Sequence, residues 1–261
     1  MTLSPTTISG LADTVDSAIR NAADIVKLTD SEPDMDITDA YAVQAELARR
    51  WQAEGRRLTG YKGGLTSKAK MAQMGLDTPV FGVLMGDTCV ADGDAIDTTQ
   101  LIHPKVEAEI AFVTSSELSG DVSIDEVLSA TEFVLPAIEV IDSRFKDFKF
   151  DIESVVADNT SAARYVVGGA PRRPHDLDLR LLGVVMERNG EIVGTAAGAA
   201  VMGHPAASVV ALVQWLAAAG KSLPAGSLVM TGGVTEAVAV HAGDHVTARV
   251  QHLGTVGVRF I

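Results

Sequence analysis

Apolar residues recur at helical spacing near the start of the chain: Leu11, Val15, Ala18, Ile19, Ala22, Ile25 and Val26, then Tyr41, Val43, Ala45, Leu47 and Trp51. The spacing predicts two helices between residues 10 and 55, the second opening near Thr38-Asp39 and stopping at Gly55. Residues 58–64 switch to an extended, glycine-rich run, and residues 67–75 form a short helix with Ser67 as cap and Gly75 as stop. From about residue 80 the β pattern dominates. Ser123-Ile-Asp-Glu126 is a capping box that opens a helix to about Phe133. The runs 181–188 and 192–197 flank Asn189-Gly190, a hairpin signal, and 246–250 and 256–261 flank a Leu253-Gly254 turn. Residues 205–219 are alanine-rich and apolar at helical spacing, with Gly220 as the stop. The order of elements predicts an α+β fold, a helical N-terminal part (1–75) packed on a mixed, β-rich catalytic domain (76–261).

Composition narrows the function. A formal net charge of −13 on 261 residues argues against a nucleic-acid surface, though a pocket can still be locally positive. Cys89 is the single cysteine, so no internal disulfide forms. With no basic segment followed by an apolar one at the N-terminus, a cytoplasmic location is expected. No run of about 18 apolar residues predicts a membrane span.

The most informative positions are three carboxylates inside apolar β runs. Glu107 and Glu109 lie in Lys105-Val-Glu-Ala-Glu-Ile-Ala-Phe-Val113, and Glu139 lies in Leu135-Pro-Ala-Ile-Glu-Val-Ile-Asp142. Side chains two apart on a strand share a face, so Glu107 and Glu109 project together while Val106, Ala108, Ile110 and Phe112 face the other way. If Glu139 is adjacent, three oxygens converge, a donor set that suits Mg²⁺ or Mn²⁺ and leaves sites for substrate. No histidine or cysteine stands near these carboxylates at zinc-like spacing. Spacing alone also fits a solvent-facing strand surface.

Further polar positions punctuate the β runs. Lys62, in Thr59-Gly-Tyr-Lys-Gly-Gly64, can bind a carboxylate or move a proton, or can be an exposed loop lysine. In Val155-Val-Ala-Asp-Asn-Thr-Ser161, Asp158 can be a base or orient a lysine, and Asn159 and Ser161 can bind a carboxylate; an Asx-type turn has the same composition. Met230-Thr-Gly-Gly-Val234 places Thr231 beside glycines that allow a ligand or a backbone to approach. Arg144 and Lys149 bring positive charge after the Glu139 run. Gly220-Lys-Ser222 is not a phosphate loop, because Trp215 stands where the first glycine belongs. His103 and His204, each before a proline, read as structural.

Together these segments resemble the 2-keto-4-pentenoate hydratase and 4-oxalocrotonate decarboxylase family, of the fumarylacetoacetate hydrolase-like superfamily. The motifs that carry the resemblance are Gly64-Leu-Thr-Ser67, Lys105-Val-Glu-Ala-Glu-Ile110, Ile138-Glu-Val-Ile-Asp-Ser-Arg144, Val156-Ala-Asp-Asn159 and Val258-Arg-Phe-Ile261. The decarboxylase branch is favoured by Leu101-Ile-His-Pro-Lys105, Phe148-Lys-Phe-Asp151, Val229-Met-Thr-Gly-Gly233 and the run 69–75. Gly63 departs from the pattern, where a larger apolar residue is expected after the lysine. The resemblance implies a Mg²⁺ or Mn²⁺ site at Glu107, Glu109 and Glu139, no organic cofactor, and catalytic roles for Lys62, Asp158 and Ser161, with Lys62 and Asp158 coupled. Asn159, Arg144 and Thr231 would contact substrate. The implied reaction is decarboxylation of 2-oxo-3-hexenedioate, a 2-oxo dicarboxylate of aromatic meta-cleavage, to 2-hydroxypenta-2,4-dienoate. Hydration of that dienoate, or a non-catalytic role beside the hydratase, are the alternatives. Homo-oligomerisation and association with the pathway hydratase are further implications.

Overall fold

The computed structural model describes residues 3–67, 71–72, 75 and 77–261. Most of the segment 67–75, expected as a short helix, lies outside the described residues. Helix α1 (Pro5–Asn21) starts on a Ser4 cap, and α2 (Ile37–Ala53) opens on a capping box in which Asp36 and Asp39 bond each other's backbone. Both predicted helices therefore form, with α1 starting five residues earlier than the periodicity indicated. Their apolar stripes, including Val15, Val43 and Leu47, are fully buried.

The β elements form two sheets. The larger contains β1 (Leu58–Gly64), β2 (Val80–Met85), β3 (Cys89–Val90), β5 (Lys105–Thr114), β6 (Thr131–Ile141), β7 (Ala162–Val167), β10 (Leu228–Met230) and β11 (Val238–Ala239). Its order is β2-β1-β10-β5-β6-β7-β3, with β11 also on β5. Strand β1, from the segment read as the N-terminal part, thus lies within the main sheet. The smaller sheet runs β4-β13-β12-β8-β9, from β4 (Ala95–Ile96), β8 (Gly183–Arg188), β9 (Glu191–Ala197), β12 (His245–Val250) and β13 (Gly254–Phe260). The two predicted hairpins are β8–β9, turning at Asn189 and Gly190 with positive φ at both, and β12–β13.

Helix α3 (Ile124–Ser129) keeps the predicted capping box but ends four residues early. Thr131, Phe133 and Val134 join β6 instead, because pairing with β5 outweighs helix continuation. Helix α4 (Ile152–Ala157) leads into the turn at Asp158. Helix α5 (Pro205–Ala218) buries Val209, Leu212, Val213 and Leu216. With the preceding turn it forms a 21-residue stretch, Gly198–Ala218, apolar and long enough for a membrane span. Its buried face packs in the protein core.

The two faces of β5 and β6 have different fates. Val106, Ala108, Ile110, Phe112, Val134, Ile138 and Val140 join the main core. The other face carries Glu107, Glu109 and Ala111 on β5, and Ala137 and Glu139 on β6. The larger sheet curls until Thr59, on β1, and Tyr165, on β7, meet through their hydroxyls at 3.0 Å. Leu84, Ala111, Ala137, Tyr165 and Met230 fill part of the enclosed space. The glutamates lie on the same strand faces as this apolar group.

Candidate metal centre

Register brings the third carboxylate to the other two. Glu107 is the direct cross-strand partner of Glu139, and Glu109 follows two residues along β5 on the same face. One carboxylate oxygen from each of the three lies within 4.8 Å of the others. Glu109 and Glu139 are 0% and 1% exposed and Glu107 is 9% exposed, so the solvent-facing alternative does not describe this strand face.

Lys62, from β1, is 3% exposed and its Nζ lies 3.1 Å from Glu139 Oε2. Nζ also donates to the Thr160 carbonyl at 3.3 Å. Burial would lower the pKa of this lysine, but the charges of Glu139, Glu109 and Glu107 outweigh it and raise it. Burial drives Glu109 well above the usual carboxylate range, Glu139's charge adds to this, and Lys62 partly opposes it. Burial likewise raises Glu139 against the pull of Lys62. Among the described residues, the Lys62 ammonium does not offset the burial of both Glu109 and Glu139, whose carboxyls stay raised.

The residues fit a hard divalent cation. Every donor is a carboxylate oxygen, and Glu109 Oε1 and Glu139 Oε1 are buried with no hydrogen-bond partner among the described residues. Such oxygens are costly to bury unless something else engages them. Opposite ligands of Mg²⁺ lie about 4.2 Å apart at an Mg–O distance of about 2.1 Å. Oxygens within 4.8 Å therefore need only small rotations to converge on one ion.

The segment after β10 holds β5 in place. Thr231 Oγ1 donates to Ile110 O at 2.8 Å, Gly232 N to Glu109 Oε2 at 2.8 Å, and Val234 N to Ala108 O at 2.9 Å. Thr235 Oγ1 accepts from Ala108 N at 3.2 Å. Gly233 stands against Glu107: a Cβ there would lie 2.7 Å from Glu107 Cδ. The expected close approach at these glycines is thus to β5 and its carboxylates. Thr231, expected to contact substrate, has its hydroxyl committed to the backbone of β5.

The Asp158–Ser161 turn is organised differently from the expectation. Asp158 does not pair with Lys62. Its carboxylate accepts from the backbone N and Nε of Arg144, whose Nη2 donates to Asp158 O at 2.7 Å and Nη1 to Ala162 O at 3.3 Å. The cause is proximity: Arg144, three residues past the end of β6, lies directly beside the turn, while Lys62 is held by Glu139. Burial pushes Asp158 up to about 6 despite the Arg144 charge. Arg144 is therefore engaged in shaping the turn. Asn159 is engaged as well, since its Oδ1 accepts from Val83 N at 2.8 Å and its Nδ2 donates to Val83 O at 3.0 Å, completing the edge of β2 as a strand partner would. Ser161 Oγ is buried with no hydrogen-bond partner among the described residues, so this hydroxyl is available to a ligand.

Among the described residues, Thr160 Oγ1, Ser208 Oγ and His103 Nε2 share that state. Thr160 sits beside a residue already singled out and has no other sequence signal. Ser208 accounts for Gly63, because a Cβ at Gly63 would lie 2.8 Å from Ser208 Oγ and 3.0 Å from Thr66 Cγ2. His204 is structural as expected, its Nδ1 capping α5 by accepting from Ala206 N.

This fold and site define a class. The model for the C-terminal region of fumarylacetoacetate (FAA) hydrolase matches residues 45–261, and the chain belongs to that family. Within it, the chain is 53% identical over 261 residues to 4-oxalocrotonate decarboxylase of Pseudomonas sp. (strain CF600), covering 100% of this chain and 99% of that protein. It is 40% identical over 250 residues to 2-keto-4-pentenoate hydratase of Paraburkholderia xenovorans (strain LB400), covering 95% and 93%. The solved structure of 4-oxalocrotonate decarboxylase from Pseudomonas putida G7, complexed with magnesium and adipate, superimposes with a TM-score of 0.98 at 49% identity, covering 100% of this chain and 99% of that one.

Proposed function

We propose that this chain is a metal-dependent carboxy-lyase that converts 2-oxo-3-hexenedioate to 2-hydroxypenta-2,4-dienoate and CO₂. The observation that carries the reading is the buried carboxylate trio beside an ammonium, in which Glu109 and Glu139 keep oxygens with no hydrogen-bond partner among the described residues. Full-length similarity to decarboxylases at 53%, against 40% for a hydratase, favours decarboxylation over hydration. The similar solved structure holds a six-carbon dicarboxylate, adipate, with magnesium.

Glu107, Glu109 and Glu139 would hold Mg²⁺ or Mn²⁺. Bound there, the ion supplies Lewis acidity to the 2-keto oxygen of the substrate. In the reaction the C5–C6 bond breaks and its electron pair forms the C4–C5 double bond. The C3–C4 double bond shifts to C2–C3, and negative charge settles on the C2 oxygen. That oxygen needs one proton to give the enol product. Lys62 is the protonated group beside the carboxylates, so its Nζ is assigned to hold or deliver that proton. Ser161 Oγ is assigned to a substrate carboxylate. Asp158, Arg144 and Asn159 act by fixing the turn that carries Ser161 and the Thr160 carbonyl. No organic cofactor is required, since the ketone is the electron sink.

The reading extends to a cytoplasmic homo-oligomer and to association with the pathway hydratase. Leu181 and Ile192 are 71% and 65% exposed, which suits burial between subunits. The decisive test is an assay of the purified chain on 2-oxo-3-hexenedioate after chelation and after adding back Mg²⁺ or Mn²⁺. CO₂ release and dienoate absorbance should follow the metal and be lost in Glu109→Gln. Full turnover without metal, or hydration in place of CO₂ release, would overturn the proposal.

A further inference from the structure

A second group of polar side chains stands one strand step before the carboxylates. Lys105 precedes Glu107 by two positions on β5, so the alternation places Lys105, Glu107 and Glu109 on one face. Lys105 has no acidic partner among the described residues. Its Nζ instead lies 3.8 Å from the ring centroid of Phe148. His103 packs on the same ring, centroids 5.1 Å apart, and its Nε2 is buried with no hydrogen-bond partner. Lys105, His103, Phe148 and His241 line one cavity of about 420 Å³. The carboxylates nearby are already occupied. Asp142 accepts the backbone N–H groups of Ile102 and His103, and Asp147, which lines the cavity, is paired with Lys149 at 3.4 Å.

An unpaired ammonium and an orphan imidazole nitrogen beside an aromatic wall form a recognition site for an anion, and the planar, two-oxygen carboxylate suits it. The strand repeat and the length of a six-carbon dicarboxylate are similar. Two residues along a strand cover about 7 Å. The terminal carbons of an extended six-carbon dicarboxylate lie about 6 Å apart. With one end at the Glu107–Glu109–Glu139 cluster, the other end comes within reach of the lysine two residues earlier.

We infer that Lys105, with His103 Nε2–H as second donor, forms the subsite for the far carboxylate of the dicarboxylate substrate. The inference rests on the proposed metal-dependent reading and adds to it a determinant of dicarboxylate over monocarboxylate substrates. Its chemical consequence is orientation. Anchoring the far carboxylate fixes rotation about C4–C5, so that the C5–C6 bond can align with the conjugated system into which its electrons pass.

The test compares adipate with 2-oxopentanoate, a 2-oxo acid lacking the second carboxylate, by titration into Mn²⁺-loaded protein. Mn²⁺ affinity is measured separately on each variant. Lys105→Met keeps the aliphatic stem against Phe148 and should weaken adipate binding about tenfold or more while changing 2-oxopentanoate binding less than about twofold. Lys105→Arg should retain most of the preference. Equal weakening of both probes, or no change in either, would overturn the subsite, as would wild-type protein that binds Mn²⁺ and 2-oxopentanoate but shows no preference for adipate over pentanoate. Wild-type protein that fails to bind Mn²⁺ would instead refute the metal reading on which the subsite rests.

Discussion

Gly233→Ala is expected to separate metal binding from folding. A Cβ at this position would stand 2.7 Å from Glu107 Cδ and 2.8 and 2.9 Å from its two oxygens. Ordinary contact begins near 3.4 Å, so the carboxylate must retreat by about 0.7 Å. The obstacle is the end of a flexible side chain, and Gly233 is not among the residues with positive φ. Alanine is therefore conformationally permitted, and the metal-free protein should hold or gain up to about 1 kcal/mol from reduced freedom of the unfolded chain. The metal site should suffer, because one of its three ligands is displaced. If displacement weakens affinity as much as losing a supporting contact does, about 10- to 100-fold, the stabilisation conferred by a fixed excess of Mn²⁺ drops by about 1.4–2.7 kcal/mol. For a chain of this size that is a loss of about 3–10 °C from the metal-induced rise in Tm. Differential scanning fluorimetry with and without Mn²⁺, with affinity from titration calorimetry, measures both quantities. A variant with the full wild-type metal shift would show that Glu107 does not need the space left by Gly233. A metal-free variant that unfolds several degrees early would show that the clash falls on the backbone.

Three other perturbations address the lysine and the turn. Lys62→Met should lower kcat/KM at least 100-fold and cost the metal-free protein about 3–5 kcal/mol by leaving Glu139 buried without its cation; denaturant unfolding with and without Mg²⁺ and steady-state kinetics check this, and an unchanged kcat/KM would refute the role. Asp158 is raised from 3.8 to about 6, so the proton-linked part of its contribution to stability is fully present below pH 4 and is lost as pH rises through 6, leaving what its hydrogen bonds with Arg144 supply. The stability difference between wild type and Asp158→Asn should accordingly fall by about 3 kcal/mol between pH 4 and 7 and then level off; a constant difference across that window would contradict it. Gly82→Ala would place a Cβ 2.4 Å from Thr160 Oγ1 and 2.8 Å from Asn159 O, so urea unfolding should show a loss of about 1–3 kcal/mol together with reduced kcat. Wild-type values for both would mean that the turn can shift without consequence.

Local chemistry made much of this fold legible. The capping box at Ser123, the Asn189-Gly190 turn and the alternation along residues 105–113 all act within a few residues, and each produces the element it predicts. Long-range pairing was not legible. Nothing in the sequence sets Glu107 opposite Glu139, or β1 parallel to β10, because both follow from how the sheet assembles. The same limit explains the turn. Composition marked Asp158, Asn159 and Arg144 as chemical, but their partners, Arg144 for Asp158 and the edge of β2 for Asn159, are set by the curl of the sheet. The His103-Pro104-Lys105 run did carry a readable signal, since Lys105 shares the face of Glu107 by simple alternation. Its meaning emerges only once Phe148 is brought beside it.

Burial alone does not distinguish a functional carboxylate from a structural one, and this chain contains both kinds within a short distance in sequence. Asp158 is fully buried, yet each of its oxygens accepts a hydrogen bond from Arg144, backbone or side chain, and the same guanidinium holds the carbonyls on either side of the turn. That ion pair is closed: a ligand could gain from it only by breaking it, which is why its expected effect is on the stability and shape of the turn. Glu109 and Glu139 are as deeply buried, but each keeps an oxygen with no hydrogen-bond partner among the described residues. Removing a charge from a closed pair leaves its partner stranded and destabilises the fold. Removing one from the open group relieves like-charge crowding, so Glu109→Gln should leave the metal-free protein at least as stable as wild type while abolishing metal binding. Opposite signs of stability change for Asp158→Asn and Glu109→Gln, measured by denaturant unfolding at pH 8 in the presence of a chelator, are the expected result. Two losses of similar size would mean that the glutamates serve the fold in the same way as Asp158, and the case for a built metal centre would fail.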